Sequence, residues 1–498
     1  MTVSRALATT TAERLFEALD QEGVRYCNFK SSAQVAAGLD GSTDLDLLCD
    51  AGQIELLAAL LARHGFKRFP AHPSRAYPRV EDFFATDERT GRLLHLHLHY
   101  RLIVGERFFK NYRLPWEREF LVTRVLDEST GVFVADPALE WLLLVCRSAL
   151  KIRWRDRWAA RVASGRGESG ALRSEHSWLA ARVDPVAPKE HAIRLLGPRA
   201  GDLVGLAIAE DLAFKRLKRL RRELLRSPKV FRGYRRVPAL GHRWARELRW
   251  VVGTINRRYL HRPFPYSRSG PGGGTVIAVI GSDGAGKSSV SQMLYCWLTG
   301  KVDVLPIYFG SGQGQSSILR WPMRVVLERT RGRTSSTSMD PEQRRTRNIG
   351  LARAMWALAL AREKRWKLRM MVRARERGFV VICDRYPQTQ ADGVNDGPLL
   401  WTWRESPARV KRALARWEDA IYKLAETIPP DVVVRLNVTQ ETAAARRPGD
   451  DPKELAFRTQ LVRNLRFDNA SSGVIDIDAE DDLAAVMLEV KRRLWPAI

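Results

Sequence analysis

Two stretches carry residue types that could act on phosphate. The first runs Gly281-Ser282-Asp283-Gly284-Ala285-Gly286-Lys287-Ser288, with Ser289 behind it. Glycines let backbone N–H groups curl around phosphate oxygens. A helix starting near Lys287 would aim its positive end at the same anion. In that reading Lys287 reaches the outer phosphates of a triphosphate and the Ser288 hydroxyl ligates Mg²⁺. The spacing GxxxxGK[ST] is about a one-per-cent chance event at this length, so a plain glycine turn is the poorer account. Farther on, Asp384 closes the apolar run Val380–Cys383, and Arg385 follows it. An acid at a strand's carboxyl end suits a Mg²⁺-linked role, direct or through water. Arg385 could hold an acceptor phosphate. The second stretch is Gly41–Asp50, where Asp44 and Asp46 alternate with Leu45 and Leu47. On a strand the two carboxylates share one face. His95, His97 and His99 alternate in the same way in a later run.

These residues need strands and helices to hold them. Residues 275–280 read as a buried strand, and Val290, Met293, Leu294 and Trp297 fall on one face of the helix that follows. Further strands are predicted at 302–310, 378–386, 431–438 and 473–479, with a long basic helical stretch at 341–377. Strands alternating with helices imply a doubly wound parallel sheet, whose ligands bind beyond the strands' carboxyl ends. The fold class is therefore α/β over residues 275–498. Residues 1–125 are mixed, residues 126–262 are helical and arginine-rich, and residues 263–274 have the proline and glycine content of a linker.

The chain has 498 residues, 45% of them apolar, which allows two or three domains with sizeable cores. Its net charge of +27 points to acidic partners. Residues 211–227, with Leu217, Leu220 and Leu224 between lysines and arginines, start a basic stretch reaching 262. Such a stretch can lie on an anionic membrane surface, grip an acidic polymer, or pack its leucines on a neighbouring domain. No signature of sequence-specific nucleic-acid binding accompanies it. Cys27, Cys49, Cys146, Cys296 and Cys383 form no CxxC pair, which suits buried reduced thiols. The N-terminus lacks an apolar signal-peptide core, and the longest apolar run, residues 139–146, is too short to span a bilayer. The expected location is cytoplasmic, or peripheral at the inner face of the membrane.

The glycine loop, Cys383-Asp384-Arg385-Tyr386-Pro387 and the segment Leu436–Leu455 together resemble the thymidylate kinase family of P-loop nucleoside-monophosphate kinases. The resemblance covers roughly 275–498. It implies that Asp283 lies near the transferred phosphoryl group, that Arg385 positions the acceptor, and that Arg446 and Arg447 begin an arginine-bearing lid. Some members carry an arginine in the loop where this chain has Gly284. The transition-state cation must then come from elsewhere, first from Arg446 and Arg447 and next from Arg458. Residues 387–401 depart from the family's thymine-contacting helix and read as an irregular acidic loop whose Asp392 and Asp396 would face the acceptor. Residues 308–317 look like another anion- or sugar-binding turn.

Gly41-Ser42 with Asp44 and Asp46 resembles the nucleotidyltransferase (polymerase β-like) fold, an α+β fold whose paired acids hold Mg²⁺. By that resemblance Lys30 and Ser31 sit where a triphosphate could be met. The fold normally adds a third carboxylate. Here His97 replaces it, Glu81 or Asp82 serves, or catalysis is lost. The histidines are expected to have structural or substrate-contact roles rather than to hold a transition metal. The expected function is ATP- and Mg²⁺-dependent phosphoryl transfer to a nucleoside monophosphate or related acceptor. Alternatives are a sugar or glycan acceptor in bacterial surface-polysaccharide assembly, nucleotidyl transfer by the N-terminal domain, and a non-enzymatic ATP-sensing module docked on a membrane. A homodimer is a candidate assembly.

Overall fold

The computed structural model describes residues 10–106, 109–152, 170–260, 262–310 and 349–498. The chain divides into two compact units, Met1–Thr254 and Ile255–Ile498.

In the first unit, a seven-stranded mixed sheet is built from β1 (Tyr26–Asn28), β2 (Leu45–Cys49), β3 (Lys67–Arg68), β4 (Val80–Thr86), β5 (Leu93–His99), β6 (Val125–Asp127) and β7 (Val132–Val134). Their order is β3-β4-β5-β2-β1-β7-β6. Alternation sorts the side chains. Leu45, Leu47, Leu94, Leu96 and Leu98 join a core with Leu15, Phe16, Leu19, Leu57 and Leu61 from the helices Thr11–Gln21 and Ile54–Arg63. The first of these helices starts on a capping box in which Thr10 and Glu13 satisfy each other's backbone N–H groups. Asp46 and the three histidines take the opposite face.

That opposite side is covered by helices. Cys27, Phe29 and Leu48 from the sheet share one core with Pro137–Lys151, Val186–Leu196, Pro198–Ala209 and Phe214–Arg226. The apolar run 139–146 is thus a core helix, opened by the Asp136 cap and by Pro137, whose missing N–H costs nothing in a first turn. Residues 126–262 are therefore not a separate helical region: β6 and β7 belong to the sheet, and the helices as far as Arg226 close its core. Leu217, Leu220 and Leu224 are buried in that core, so the apolar face of 214–226 is already used. Along the helix Arg236–Ile255, by contrast, Val237, Leu240, Trp244, Leu248 and Val251 are exposed.

The second unit is a five-stranded, wholly parallel sheet. Its strands are β8 (Thr275–Gly281), β9 (Val304–Tyr308), β10 (Val380–Asp384), β11 (Val432–Asn437) and β12 (Val474–Asp478), in the order β9-β10-β8-β11-β12. The β-branched central strands are buried on both faces, as helices on both sides of a parallel sheet require. The strand order reverses at β8, the place where such sheets bind their ligands, beyond the strands' carboxyl ends. Val279 pairs with Asp384 and Gly281 with Leu436, so the ends of β8, β10 and β11 lie level there. The long basic helix is Leu351–Glu376; residues 341–348 of the predicted stretch, and the turn at 311–317, lie outside the described residues.

Among the described residues no helix is long and apolar enough to cross a membrane. Four cysteines are buried and free of disulfides, but Cys296 is exposed, on the solvent side of its helix.

Candidate functional site

The loop after β8 is shaped by glycines at three points. Gly284 has φ +87°, and a Cβ there would stand 3.0 Å from the Ala443 carbonyl oxygen. An arginine at this position would be both strained and crowded. Gly286 has φ +83° with open space where a Cβ would point. A Cβ on Gly281 would meet the Leu436 carbonyl oxygen at 3.0 Å. Ala285 is buried, and Lys287 opens the helix Lys287–Leu298.

Lys287 is not a surface lysine: it is only 6% exposed. Its ammonium donates to the Ser282 carbonyl at 2.6 Å and lies 3.7 Å from Asp283. Burial, with Arg385 nearby, pushes its pKa down to about 8. The Ser288 hydroxyl donates to Asp384 Oδ2 at 2.9 Å, joining the helix start to the end of β10. Asp384 Oδ1 is buried and has no hydrogen-bond partner. Burial raises the Asp384 carboxyl above its ordinary value, against the pull of Ser288, Arg385 and Lys287. A buried carboxylate oxygen without a partner, beside a serine hydroxyl, fits a hard divalent cation with oxygen ligands. Ser282 Oγ is likewise buried without a partner. Ser289, one step into the helix, is exposed.

Asp283 gathers cations. Arg385 Nη2 lies 3.1 Å from its Oδ1, and Arg458 donates to Oδ2. Burial alone would raise its pKa, but Lys287, Arg385 and Arg458 hold it well below the usual carboxylate range. Arg385 also faces Asp396, at 3.5 Å. Its backbone is left-handed, φ +72°, a strained state for a non-glycine residue at the centre of a site.

The arginines separate by position. Arg446 Nη1 donates to the carbonyls of Ala479 at 2.9 Å and Gly284 at 3.4 Å, and Nη2 to that of Glu480 at 3.3 Å. It ties backbone together at the loop's edge. Arg447 is an exposed residue at the end of the same short helix. Arg458, on the helix Pro452–Asn464, is the one whose guanidinium reaches Asp283.

Residues 388–400 form an irregular loop, as the sequence predicts, but one stapled from within. The buried Gln388 amide donates to the carbonyls of Ala391, Val394 and Asn395, and its oxygen accepts from Ala391 N–H. Asn395 and Asp396 are left-handed, φ +44° and +67°. Asp396 turns inward to Arg385, whereas Asp392 pairs in two-point fashion with Arg404 at 2.9 and 3.0 Å, so it is held away from Arg385. Lys364, which sequence reasoning missed, is buried and donates to the Asp396 carbonyl at 3.0 Å and the Tyr422 hydroxyl at 3.1 Å. A lysine amid the helical repeat of 351–376 gave no signal, because only the fold shows that its position faces inward.

In the first unit, register builds a row across three strands: Asp82 on β4, His97 on β5 and Asp46 on β2 are direct neighbours. Asp46 Oδ1 lies 2.8 Å from Lys30 Nζ and 3.0 Å from His97 Nδ1. His95 sits between Asp44 and Asp82, at 2.9 Å from each. Of the two candidate third acids, Asp82 is on the face of Asp44 and Asp46, while Glu81 points the other way and pairs with Arg68. Ser31, left-handed at φ +57°, lies 3.3 Å from Glu175.

No family model matches the chain. The chain is similar to the uncharacterized ATP-binding protein YghR of Escherichia coli strain K12, with 27% identity over 221 residues, which are 44% of this chain and 85% of that relative. YghR of Escherichia coli O6:H1 strain CFT073 gives the same figures. The uncharacterized ATP-binding protein YghS of strain K12 is 26% identical over 226 residues, 45% of this chain and 93% of its own length.

Proposed function

We propose that residues 275–498 are an ATP- and Mg²⁺-dependent phosphotransferase of the thymidylate kinase type. The observation that carries this reading is the buried, unpartnered Asp384 Oδ1 beside Ser288 Oγ and Lys287, at the carboxyl edge of a parallel sheet. The relatives' name, ATP-binding protein, supports ATP binding by the chain as a whole. Ser288 and Asp384 would hold Mg²⁺, which when bound neutralises charge between the outer phosphates. Backbone N–H groups of Gly284–Ser289 would cradle the phosphates. Lys287 would exchange its Ser282 carbonyl for a phosphate oxygen. Arg458, held by Asp283, would supply the cation that Gly284 cannot, and Arg385 would orient the acceptor. Asp283 holds the two guanidinium groups on one carboxylate, one on each oxygen. In the transfer, an acceptor oxygen would form a bond to the γ-phosphorus as the β,γ-bridging P–O bond breaks and ADP leaves; a hydroxyl acceptor's proton would pass to Asp396 or to water.

For the acceptor, the stapled loop favours a sugar or glycan hydroxyl over thymidine monophosphate. No helix follows Pro387, and Asp396 stands against Arg385, where it would repel a phosphate and accept from a hydroxyl. The test is an acceptor screen with γ-labelled ATP across nucleoside monophosphates, sugars and glycans. Labelled sugar or glycan supports this reading. Efficient labelling of thymidine monophosphate restores the plain nucleotide-kinase reading, and no labelled product from a folded, ATP-binding chain overturns the kinase. Nucleotidyl transfer by the first unit is the second reading, favoured by Asp44, Asp46 and Asp82 on one sheet face. It requires pyrophosphate release that is lost in Asp44→Asn and Asp46→Asn.

A further inference from the structure

The row of Asp82, His97 and Asp46 continues to His99, and its geometry is unlike that of an ordinary ion pair. Asp46 Oδ1, His97 Nδ1 and His99 Nε2 form a closed triangle. The edges are 3.0 Å from Asp46 to His97, 3.2 Å between the histidines and 3.7 Å from Asp46 to His99. Ligand atoms about 2.1 Å from a tetrahedral ion lie roughly 3.4 Å from one another. The triangle therefore already has the size of one face of such a coordination shell.

Protons alone satisfy this triangle poorly. One imidazole N–H can bridge to a single neighbour, which leaves the other nitrogen's lone pair facing an acceptor. A cation satisfies all three atoms together. His99 is buried and His97 is part-exposed beside it. Neutral imidazole is the form that binds metal. The Lys30 ammonium, 2.8 Å from Asp46 Oδ1, marks where positive charge is wanted. Its side chain is 20% exposed, so it can withdraw to water.

Two nitrogens and one oxygen suit a borderline-soft ion such as Zn²⁺ better than Mg²⁺, which prefers oxygen ligands in an octahedron. Asp82 stands behind the triangle, with Oδ1 2.9 Å from His95 Nε2 and 3.9 Å from His97 Nε2, outside direct hydrogen-bond reach of the ligating histidine.

We propose that Asp46, His97 and His99 form a three-ligand site for a divalent transition-metal ion, best Zn²⁺, with water as the fourth ligand and Lys30 competing with the ion for Asp46. This goes beyond phosphoryl transfer in the second unit and is independent of it.

The full chain, stripped with chelator, is titrated with ZnCl₂ in the presence of excess MgCl₂. Bound metal is measured by elemental analysis after gel filtration, and geometry by the visible d–d absorption of the Co²⁺-loaded protein. The expected result is stoichiometric zinc that excess Mg²⁺ does not displace, and a tetrahedral Co²⁺ spectrum. His97→Ala, at a part-exposed position, should weaken zinc by more than the ~10–100-fold typical of losing an outer-shell partner. Lys30→Ala should tighten it. His99 is fully buried, so His99→Ala is read only if its circular dichroism matches the parent. Substoichiometric zinc, displacement by Mg²⁺, or equal zinc affinity in the parent, His97→Ala and Lys30→Ala would overturn the site.

Discussion

At the scale of single residues, the arginines are the sharpest test of the proposed kinase. Arg446 is occupied by three backbone carbonyls, while Arg458 lies on Asp283. Arg458→Ala is therefore expected to lower kcat by ~10²-fold or more, the usual loss for one electrostatic donor at a transition state. Arg446→Ala should instead lower Tm and leave kcat within a few-fold. Steady-state kinetics beside thermal melts separate the two, and the reverse pattern would return the cation to the lid. Lys287→Ala should abolish transfer while the circular dichroism spectrum is kept. The pH profile follows from the same lysine. Its pKa falls from an ordinary 10.5 to about 8 in the folded protein. Between those values the unfolded chain binds the extra proton, so this group's contribution to stability rises with pH. Its contribution to ATP capture has the opposite sign. The charged form is lost through pH 8, so kcat/KM for ATP should fall there. The kcat itself should hold, because bound phosphates keep the proton on Lys287. A profile of kcat/KM that stays flat from pH 7 to 10 would remove Lys287 from phosphate contact.

At the scale of elements, the proposed choice of acceptor turns on the loop 388–400. Its shape depends on Gly397, where a Cβ would fall 1.8 Å from the Ala391 carbonyl oxygen and 2.8 Å from Gln388 Nε2. Gly397→Ala should raise the acceptor KM severalfold with the ATP KM unchanged, provided the label screen has named the acceptor. Asp396→Asn should act in the same direction, since its carboxylate faces Arg385. Asp392→Asn should not, because Asp392 is bound to Arg404. Equal effects of the two substitutions would mean that Asp392 leaves Arg404 when the acceptor binds. The loop's irregularity was legible from Pro387 and the glycines. Its inward staple was not, because Gln388 is as ordinary in sequence as any loop glutamine.

At the scale of the whole molecule, each unit has its own sheet and its own core. Two unfolding transitions are expected by calorimetry. ATP with Mg²⁺ should raise one of them alone. At about 100-fold over Kd the gain is ~2.7 kcal/mol, which for a unit of this size is a shift of roughly 5–10 °C. Asp384→Asn should remove that shift. A shift of both transitions by ATP would show that the first unit also takes up the nucleotide.

Local sequence determined what local physics controls. Glycines at 284 and 286, a lysine and serine at a helix start, and β-branched strands ending in Asp384 specify a tight loop between strand and helix at the carboxyl ends of a sheet. Alternation likewise put Asp44 with Asp46 and His95 with His97 and His99 on shared faces. Which alternating rows meet was a matter of register across strands far apart in the chain. That register set Asp46 beside His97 and Asp82 behind it. The same holds for the arginines. Arg446 and Arg447 are singled out by the family resemblance, but helix packing brings Arg458 to Asp283 from 175 residues away. Long-range contacts of this kind depend on how whole elements stack to bury apolar faces, and a charged side chain's own neighbours in sequence carry little of that information.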